Sequence, residues 1–418
     1  MPMEATKAER PLRILYVEQN LDGTTGGSYR SLLYLLKGLD RRSYETIVAF
    51  YREHDLLEEY EATASRTMLL EYPKPLDLVS RTRQLGSVGR LLTPPAVVLQ
   101  KAVNLVGVSA VLFTRGIALL HRERIDVLHL NNGVRVGNEL LVASKMMGVR
   151  SIIHQRGITP LTTWSTWLAK HADHVICVSE AARQNLIQSG LLADRCTAIH
   201  NGINPEELRG KIRRSVEEVR ASLRIPSGTI IIGLAGMIRR WKGQMVLVKA
   251  MELLRGRHPN VRVVIMGGIS ITDPADRAYA EELRTYIAEH DLGSCIMMLD
   301  YQANAPEFLQ TFDVMVHTAI EPEPFSRVVI EGMTLARPIV ASATGGTPEA
   351  IEDGVSGFLV PANDPQALAD RIERMVVDPA LRDRLGSAAK AKAEAHFHIR
   401  THVSRTEEIY RRITDHRV

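Results

Sequence analysis

Cysteine is scarce in this sequence. Cys177, Cys196 and Cys295 are scattered and odd in number. They fit neither a disulfide framework nor a zinc cluster, and they point to a reducing, cytoplasmic setting. Charge of one sign is not in excess either: the net charge is +4, so charge alone implies no nucleic-acid partner, and none is expected. Long apolar runs are missing. The longest, 102–114, is bounded by Lys101 and Arg115 and is too short for an ordinary spanning helix. The opening MPMEATKAER has no apolar core and is not expected to be a signal peptide. No G-x-G occurs, which removes the dinucleotide fingerprint, and no G-x-x-x-x-G-K-[ST], which removes the common P-loop. There is no D-x-D and no His/Cys set at ligand spacing. Glu321-Pro-Glu323 is an E-x-E, yet no metal and no cofactor are expected.

What is present is alternation. A chain of 418 residues, 45% hydrophobic, suggests two or three packed domains. LRILYVE (12–18), ETIVAF (45–50), VLHL (127–130), SIIH (151–154) and HVICVS (174–179) read as buried strands, with helical patterns such as 28–39 and 180–189 among them. A second series follows: TIIIGLAG (229–236), VRVVIMGG (261–268), CIMML (295–299), DVMVH (313–317), PIVAS (338–342) and GFLV (357–360). The expectation is an α/β chain of two facing Rossmann-like halves with a cleft between them. The halves are expected over 12–203 and 204–395, with HNGINPEELRG (200–210) as the hinge. A helix over 396–418 is expected to return to the N-terminal half.

One stretch concentrates chemistry: EPEPFSRVVIEGMTLARPIVASATGG, from Glu321 to Gly346. Glu323 precedes Pro324, which suits a first helical position. Glu331 follows eight residues later, about 12 Å along a helix at about 1.5 Å per residue. Phe325, Val328, Val329, Gly332, Met333 and Ala336 give that helix an apolar face. Arg327 and Glu331 have the spacing of a surface ion pair worth about 0.2–0.5 kcal/mol, and Glu323 has the placement of an acid complementing the helix dipole. The alternative is a site. Carboxylates accept hydrogen bonds from vicinal hydroxyls, and free N–H groups at a helix start receive phosphate. A nucleotide-sugar carries both kinds of group.

The run EPEPFSRVVIEGMTLARPIVASATGGTPEAIEDGVSGFLV resembles the signature of the retaining glycosyltransferase family four, of GT-B fold: E-x-F-G…E-A-M-A-x-G-x-P-V…G-G-x-x-E…G-x-x-G. The likeness is strong in the C-terminal half and looser in the N-terminal, acceptor-binding half. It implies transfer of a sugar from a nucleotide-diphosphate sugar to an acceptor hydroxyl, with retention and without metal. It implies that Glu323 contacts donor-sugar hydroxyls and Glu331 the ribose, with Pro324, Phe325, Ser326 and Val328 lining the donor. Ser326 stands where the family usually has glycine. Gly332 replaces a usual alanine, a helix cost of about 1 kcal/mol.

GLAGMIRRWKGQ (233–244) resembles the family's G-R-x-x-x-x-K-G, whose cations grip the diphosphate. Lys242 matches; Met237 occupies the arginine position, and Arg239 or Arg240 is expected to replace it, with solvated loop charge as the alternative. Gly26 and Gly27, in LDGTTGGSYRSLLYLL (21–36), suit close backbone approach to the donor or an ordinary turn. His154, closing SIIHQRG, is expected to face the cleft near the reacting sugar, or else to be a buried histidine bonded to backbone. Together with Glu323 and Lys242 it is the catalytic candidate. Asn201 and Gly202 resemble the family's junction turn and are expected to be structural.

Residues 79–124 set Arg81, Arg83, Arg90, Lys101, Arg115, Arg122 and Arg124 against one acid, Glu123, among Leu, Val and Pro. Such a segment suits either an anionic membrane surface, here the inner face, or an insertion packed on the first half. The membrane reading favours a lipid-linked acceptor over a free sugar. Two other functions share the architecture: nucleotide-sugar 2-epimerisation, and sugar-nucleotide binding without turnover.

Overall fold

The computed structural model describes residues 10–19, 26–73, 77, 86–134, 138–270 and 273–415. The predicted alternation builds two parallel sheets. The first holds β1 (Leu12–Glu18), β2 (Tyr44–Phe50), β3 (Arg66–Leu69), β4 (Val127–Leu130), β5 (Arg150–Gln155), β6 (His174–Cys177) and β7 (Cys196–Ala198), in the order β3-β2-β1-β4-β5-β6-β7. The second holds β8 (Ile230–Ala235), β9 (Val261–Met266), β10 (Ile296–Leu299), β11 (Val314–His317), β12 (Ile339–Ser342) and β13 (Phe358–Val360), in the order β10-β9-β8-β11-β12-β13. β4 and β11 are buried at every position, as strands covered by helices on both faces must be. β3 and β7 escape prediction. β3 is a four-residue edge strand with no buried position, and β7 is only three residues long.

Both sheets reverse strand order at their centres, between β1 and β4 and between β8 and β11. Ligands of such sheets bind beyond the carboxyl ends at these reversals. Four stretches are thereby singled out: those after Glu18, Leu130, Ala235 and His317.

The C-terminal helix returns as expected. The Pro379–His396 helix packs on the second half. The Ile399–Thr414 helix buries Ile399, Val403, Ile409, Tyr410 and Ile413 in the first, an apolar stripe at helical spacing. The two crossover segments bond to each other: Ile203 N–H donates to Phe397 O and Ile399 N–H to Ile203 O, both at 2.8 Å. A Cβ on Gly202 would lie 2.7 Å from Ile399 Cα, so only glycine lets them approach.

Within 79–124, residues 86–122 form one helix, Gly86–Arg122. It packs on the Asn138–Met146 helix, where Ser109 Oγ donates to Glu139 at 2.8 Å. Arg115 and Arg122 pair with Glu71 and Glu123, while Leu99, Val103 and Val106 are exposed. Arg81 and Arg83 lie outside the described residues, as do the side chains of Arg90 and Lys101. Among the described residues no helix is long and apolar enough to cross a membrane.

Candidate functional site

The loops after β8 and β11 bring together residues 81 positions apart. Lys242 Nζ donates to Glu323 Oε2, and His317 Nε2 lies 3.4 Å from the same oxygen. Glu323 is 7% exposed. Burial pushes its pKa up, but Lys242 and His317 outweigh burial and hold it at about 2. A buried, ionised carboxylate with a primary amine at its edge is suited to exchange that partner for ligand hydroxyls.

The turn that presents Glu323 is held by glycines. Gly346 N–H donates to Glu323 O at 2.8 Å. Gly345 has φ +54°, and a Cβ there would sit 2.0 Å from Glu323 O. A Cβ on Gly346 would sit 2.2 Å from Pro324 O and 2.7 Å from Ser179 Cβ in the first half. The Gly-Gly pair is therefore the seat of the acidic turn and part of the contact between halves.

One expectation is corrected here. Pro324 is not at a first helical position; the helix runs Arg327–Thr334 with Ser326 as its cap residue. Glu323 lies in the irregular approach, so the 12 Å helical spacing between the acids does not apply. Pro324 fixes that approach instead. The Ser326 side chain makes no capping bond, so the first N–H groups of the helix retain their affinity for anions.

Glu331 accepts from Arg327 Nη2 at 2.9 Å, four residues away. The expected pair exists but is not a surface pair: the side chains are 14% and 9% exposed. Arg327 also reaches the first half, with Nη1 3.4 Å from Ser31 Oγ and its guanidinium 4.9 Å from the Tyr34 ring. A Cβ on Gly27 would lie 3.5 Å from Arg327 Cδ, so Gly27 faces this helix across the cleft. Gly26 caps the Gly27–Gly38 helix; residues 20–25 of the same turn lie outside the described residues. Phe325 is buried and stacks on His200 at 4.6 Å. Ser326 is buried and Val328 half-buried.

The arginines near Met237 turn to the Pro274–Glu289 helix. Arg239 donates to Asp276 at 3.0 Å, and Arg240 pairs with Glu282 over the Tyr279 ring. Gly332 has a packing reason: a Cβ there would meet Met315 Sδ at 2.3 Å.

His154 is fully buried at the end of β5, and its Nε2 has no partner among the described residues. Burial, with Arg156 nearby, holds its pKa well below the ordinary value, so it is neutral. His129 and His402 are buried beside it, with pKa values lowered by burial to about 3 and about 4.

Sequence reasoning missed several residues here. Arg156 donates to Asn131 Oδ1 at 2.7 Å and to Asn201 Oδ1 at 3.2 Å. Burial lowers its pKa to about 10, which leaves it charged at neutral pH. Glu18, at the end of β1, accepts from Asn131 and Asn132, and burial raises its pKa. Glu349 closes the halves together: its carboxylate accepts from the N–H groups of Glu180 and Ala181, each at 2.8 Å, and from His200 Nε2 at 2.6 Å. The G-G-x-x-E run held the signal for Glu349. Arg156 had only its place two residues after His154.

Comparison with known proteins bears on the family and the fold. Residues 25–207 match the family model Glycosyltransferase Family 4, and residues 215–392 match Glycosyl transferases group 1. The chain is 32% identical over 234 residues to a D-inositol 3-phosphate glycosyltransferase of Corynebacterium jeikeium, covering 54% of each. It is 28% identical over 310 residues to one of Streptomyces griseus, covering 72% of this chain and 64% of that protein. The alignments thus span half to two thirds of those relatives. Among solved structures, Anabaena Alr3699/HepE in complex with UDP shares the fold with a TM-score of 0.77 at 22% identity, over 96% of this chain and 99% of that one; it is also known in complex with UDP-glucose.

Proposed function

Because the chain belongs to glycosyltransferase family four, among the glycosyl transferases group 1, we propose that it moves a sugar from a nucleotide-diphosphate sugar to an acceptor hydroxyl, retaining the anomeric configuration. The observation that carries this reading is the buried Glu323–Lys242 pair beside the uncapped start of the Arg327–Thr334 helix, at the switch point of the second sheet. In this mechanism the helix N–H groups and Lys242 take the diphosphate as charge builds on it. Glu323, released from Lys242, takes hydroxyls of the sugar, and Glu331 the ribose diol. The transition state is oxocarbenium-like, and the departing phosphate assists deprotonation of the acceptor on the same face. No metal takes part.

UDP-sugars are the first donors to test, since the structural neighbour is known with UDP and UDP-glucose. The relatives' names make a phosphorylated polyol one acceptor class to test; a lipid-linked sugar is the other. The second class has its own support. Leu99, Val103 and Val106 of the Gly86–Arg122 helix are exposed, and so are Trp164 and Trp167, stacked 5.1 Å apart on the Thr163–Ala169 helix. Aromatics and apolar helix faces of this kind suit an anionic membrane surface at the inner leaflet.

A thermal-shift screen of nucleotide-sugars tests the donor, because a bound donor stabilises the fold according to its affinity. Glu331→Ala should abolish the shift given by the true donor; an undiminished shift returns Glu331 to a purely structural ion pair. Product analysis separates the competing readings. A transferase yields glycosylated acceptor and free nucleotide, an epimerase yields an altered donor, and a non-catalytic binder turns nothing over. Met237 in the arginine position is the observation that keeps the last reading in view.

A further inference from the structure

The second half holds a cavity that sugar transfer does not use. Asp313 and Arg337 line it just before β11 and β12, whereas Glu323 follows the far end of β11, so the cavity and the donor site lie at opposite ends of the sheet. Its volume is about 340 Å³, within the range of about 300–1,000 Å³ that small-molecule sites have. Four cations face it: Arg209, Arg220, Arg337 and Lys390. They come from four separate segments, namely the Pro205–Gly210, Val216–Ser222 and Pro379–His396 helices and the turn before β12. Ile212, Val216 and Leu335 give the cavity an apolar wall.

Arg337 is fixed in place. Its Nε donates to Leu335 O at 3.0 Å, and its Nη1 to Gln310 O at 3.1 Å and Phe312 O at 3.3 Å. Among the described residues Nη2 has no partner, and no carboxylate forms an ion pair with this guanidinium. Asp313, the acid in the wall, is taken by Arg220 at 3.5 Å and by the N–H of Ile231 at 2.8 Å. Burial lowers the Arg337 pKa, and Asp313 and Asp383 oppose this only at longer range. A half-buried cation balanced by neutral carbonyls is costly, and an anion in the cavity would balance it. Arg209 and Lys390 share a single acid, Glu394, at 3.3 Å and 4.0 Å. Four cations thus have two ion-paired carboxylates between them, an excess of two positive charges.

The turn that presents Arg337 is set by packing. Ala336 N–H donates to Met333 O and Arg337 N–H to Gly332 O, both at 2.9 Å, which ends the Arg327–Thr334 helix. This ending puts Ala336 at φ +56°, where glycine is usual. A Cβ on Gly386 would lie 2.3 Å from Ala336 O, so the Pro379–His396 helix presses on the turn and holds it. Such backbone outliers persist where the surroundings over-determine them, ligand clamps among them.

We propose that this cavity binds a small phosphate monoester, with Arg337 Nη2 as its fixed donor and the half-exposed Arg209 and Lys390 completing the phosphate site. A phosphate monoester carries about two negative charges near neutral pH and three acceptor oxygens. That matches the two excess positive charges and the donors of three side chains. The apolar wall meets its carbon skeleton. The site is remote from the cleft and does not depend on the sugar-transfer reading.

Calorimetric titration of the full chain at pH 7.5 and constant ionic strength tests this, with glycerol 3-phosphate as the probe. Saturable binding is expected, and glycerol should give none. Inorganic phosphate should bind about threefold or more weakly, because it leaves the apolar wall uncovered. Arg337→Met should abolish binding, but it also strands three carbonyls. Arg209→Ser with Lys390→Ser is therefore the second variant: the unfolding temperature should hold while affinity falls about tenfold. Lys242→Met should leave the affinity unchanged. No saturable binding at millimolar glycerol 3-phosphate overturns the site. So does an affinity that survives Arg209→Ser with Lys390→Ser, or one that falls with Lys242→Met and so belongs to the cleft. Equal affinity for inorganic phosphate overturns the assignment to an ester.

Discussion

Replacing Glu323 by Gln should reveal one buried carboxylate through the pH dependence of stability. In the folded chain its pKa is held at about 2, against an ordinary 4.5. At about 1.4 kcal/mol for each tenfold change in proton affinity, the ionised form contributes about 3 kcal/mol at neutral pH. A lowered folded pKa places this stability above the unfolded value of 4.5 and removes it as pH falls toward 2. The gap between wild type and Glu323→Gln should therefore be about 3 kcal/mol at pH 7 and about 2 kcal/mol at pH 3.5. Of the three tryptophans, Trp241 lies beside Lys242, whose Nζ is 4.1 Å from its ring. In a Trp164→Phe, Trp167→Phe background, its fluorescence follows urea unfolding of this half alone. Adding Lys242→Met to Glu323→Gln removes the unpaired amine as well, and should recover part of the lost stability. A gap that does not change between the two pH values refutes the assignment of Glu323 as the ionised partner of Lys242.

The other expectations are simpler. Glu349→Ala removes the acceptor for two backbone N–H groups across the cleft, and should cost about 1–2 kcal/mol; small-angle scattering should show a larger radius of gyration, and an unchanged radius contradicts a clasp. Gly332→Ala gains about 1 kcal/mol of helix propensity, but its Cβ meets Met315 Sδ. Overpacking at about 1–3 kcal/mol should win, so urea unfolding should show a less stable protein. Trp164→Ser with Trp167→Ser should reduce co-sedimentation with phosphatidylserine vesicles about tenfold, with the unfolding temperature unchanged; undiminished sedimentation removes these indoles from the membrane reading.

Much of the molecule is legible in its order of residues. Buried strands such as VLHL and DVMVH cannot face water on either side, and the helical patterns between them leave little choice but covered parallel sheets. The acids, glycines and lysine of the second half were legible because short segments present them, including a turn that only Gly345 and Gly346 accommodate; the start of the helix after them, at Arg327 and not at Pro324, was not. The edge strand 66–69 was not, because it buries none of its positions and so lacks the apolar signal that marks a strand.

What the sequence determined by itself is local: which segments bury both faces, and which side chains can bind phosphate or hydroxyl. What only the tertiary structure decided is pairing across distance. Lys242 meets Glu323, Glu349 caps a helix of the other half, and Tyr410 reaches the histidines under the cleft. No periodicity encodes these contacts. The first arises because neighbouring strands β8 and β11 set their loops side by side, the other two because the chain crosses between halves twice, and the field at each ionisable group is set by what is thereby brought beside it.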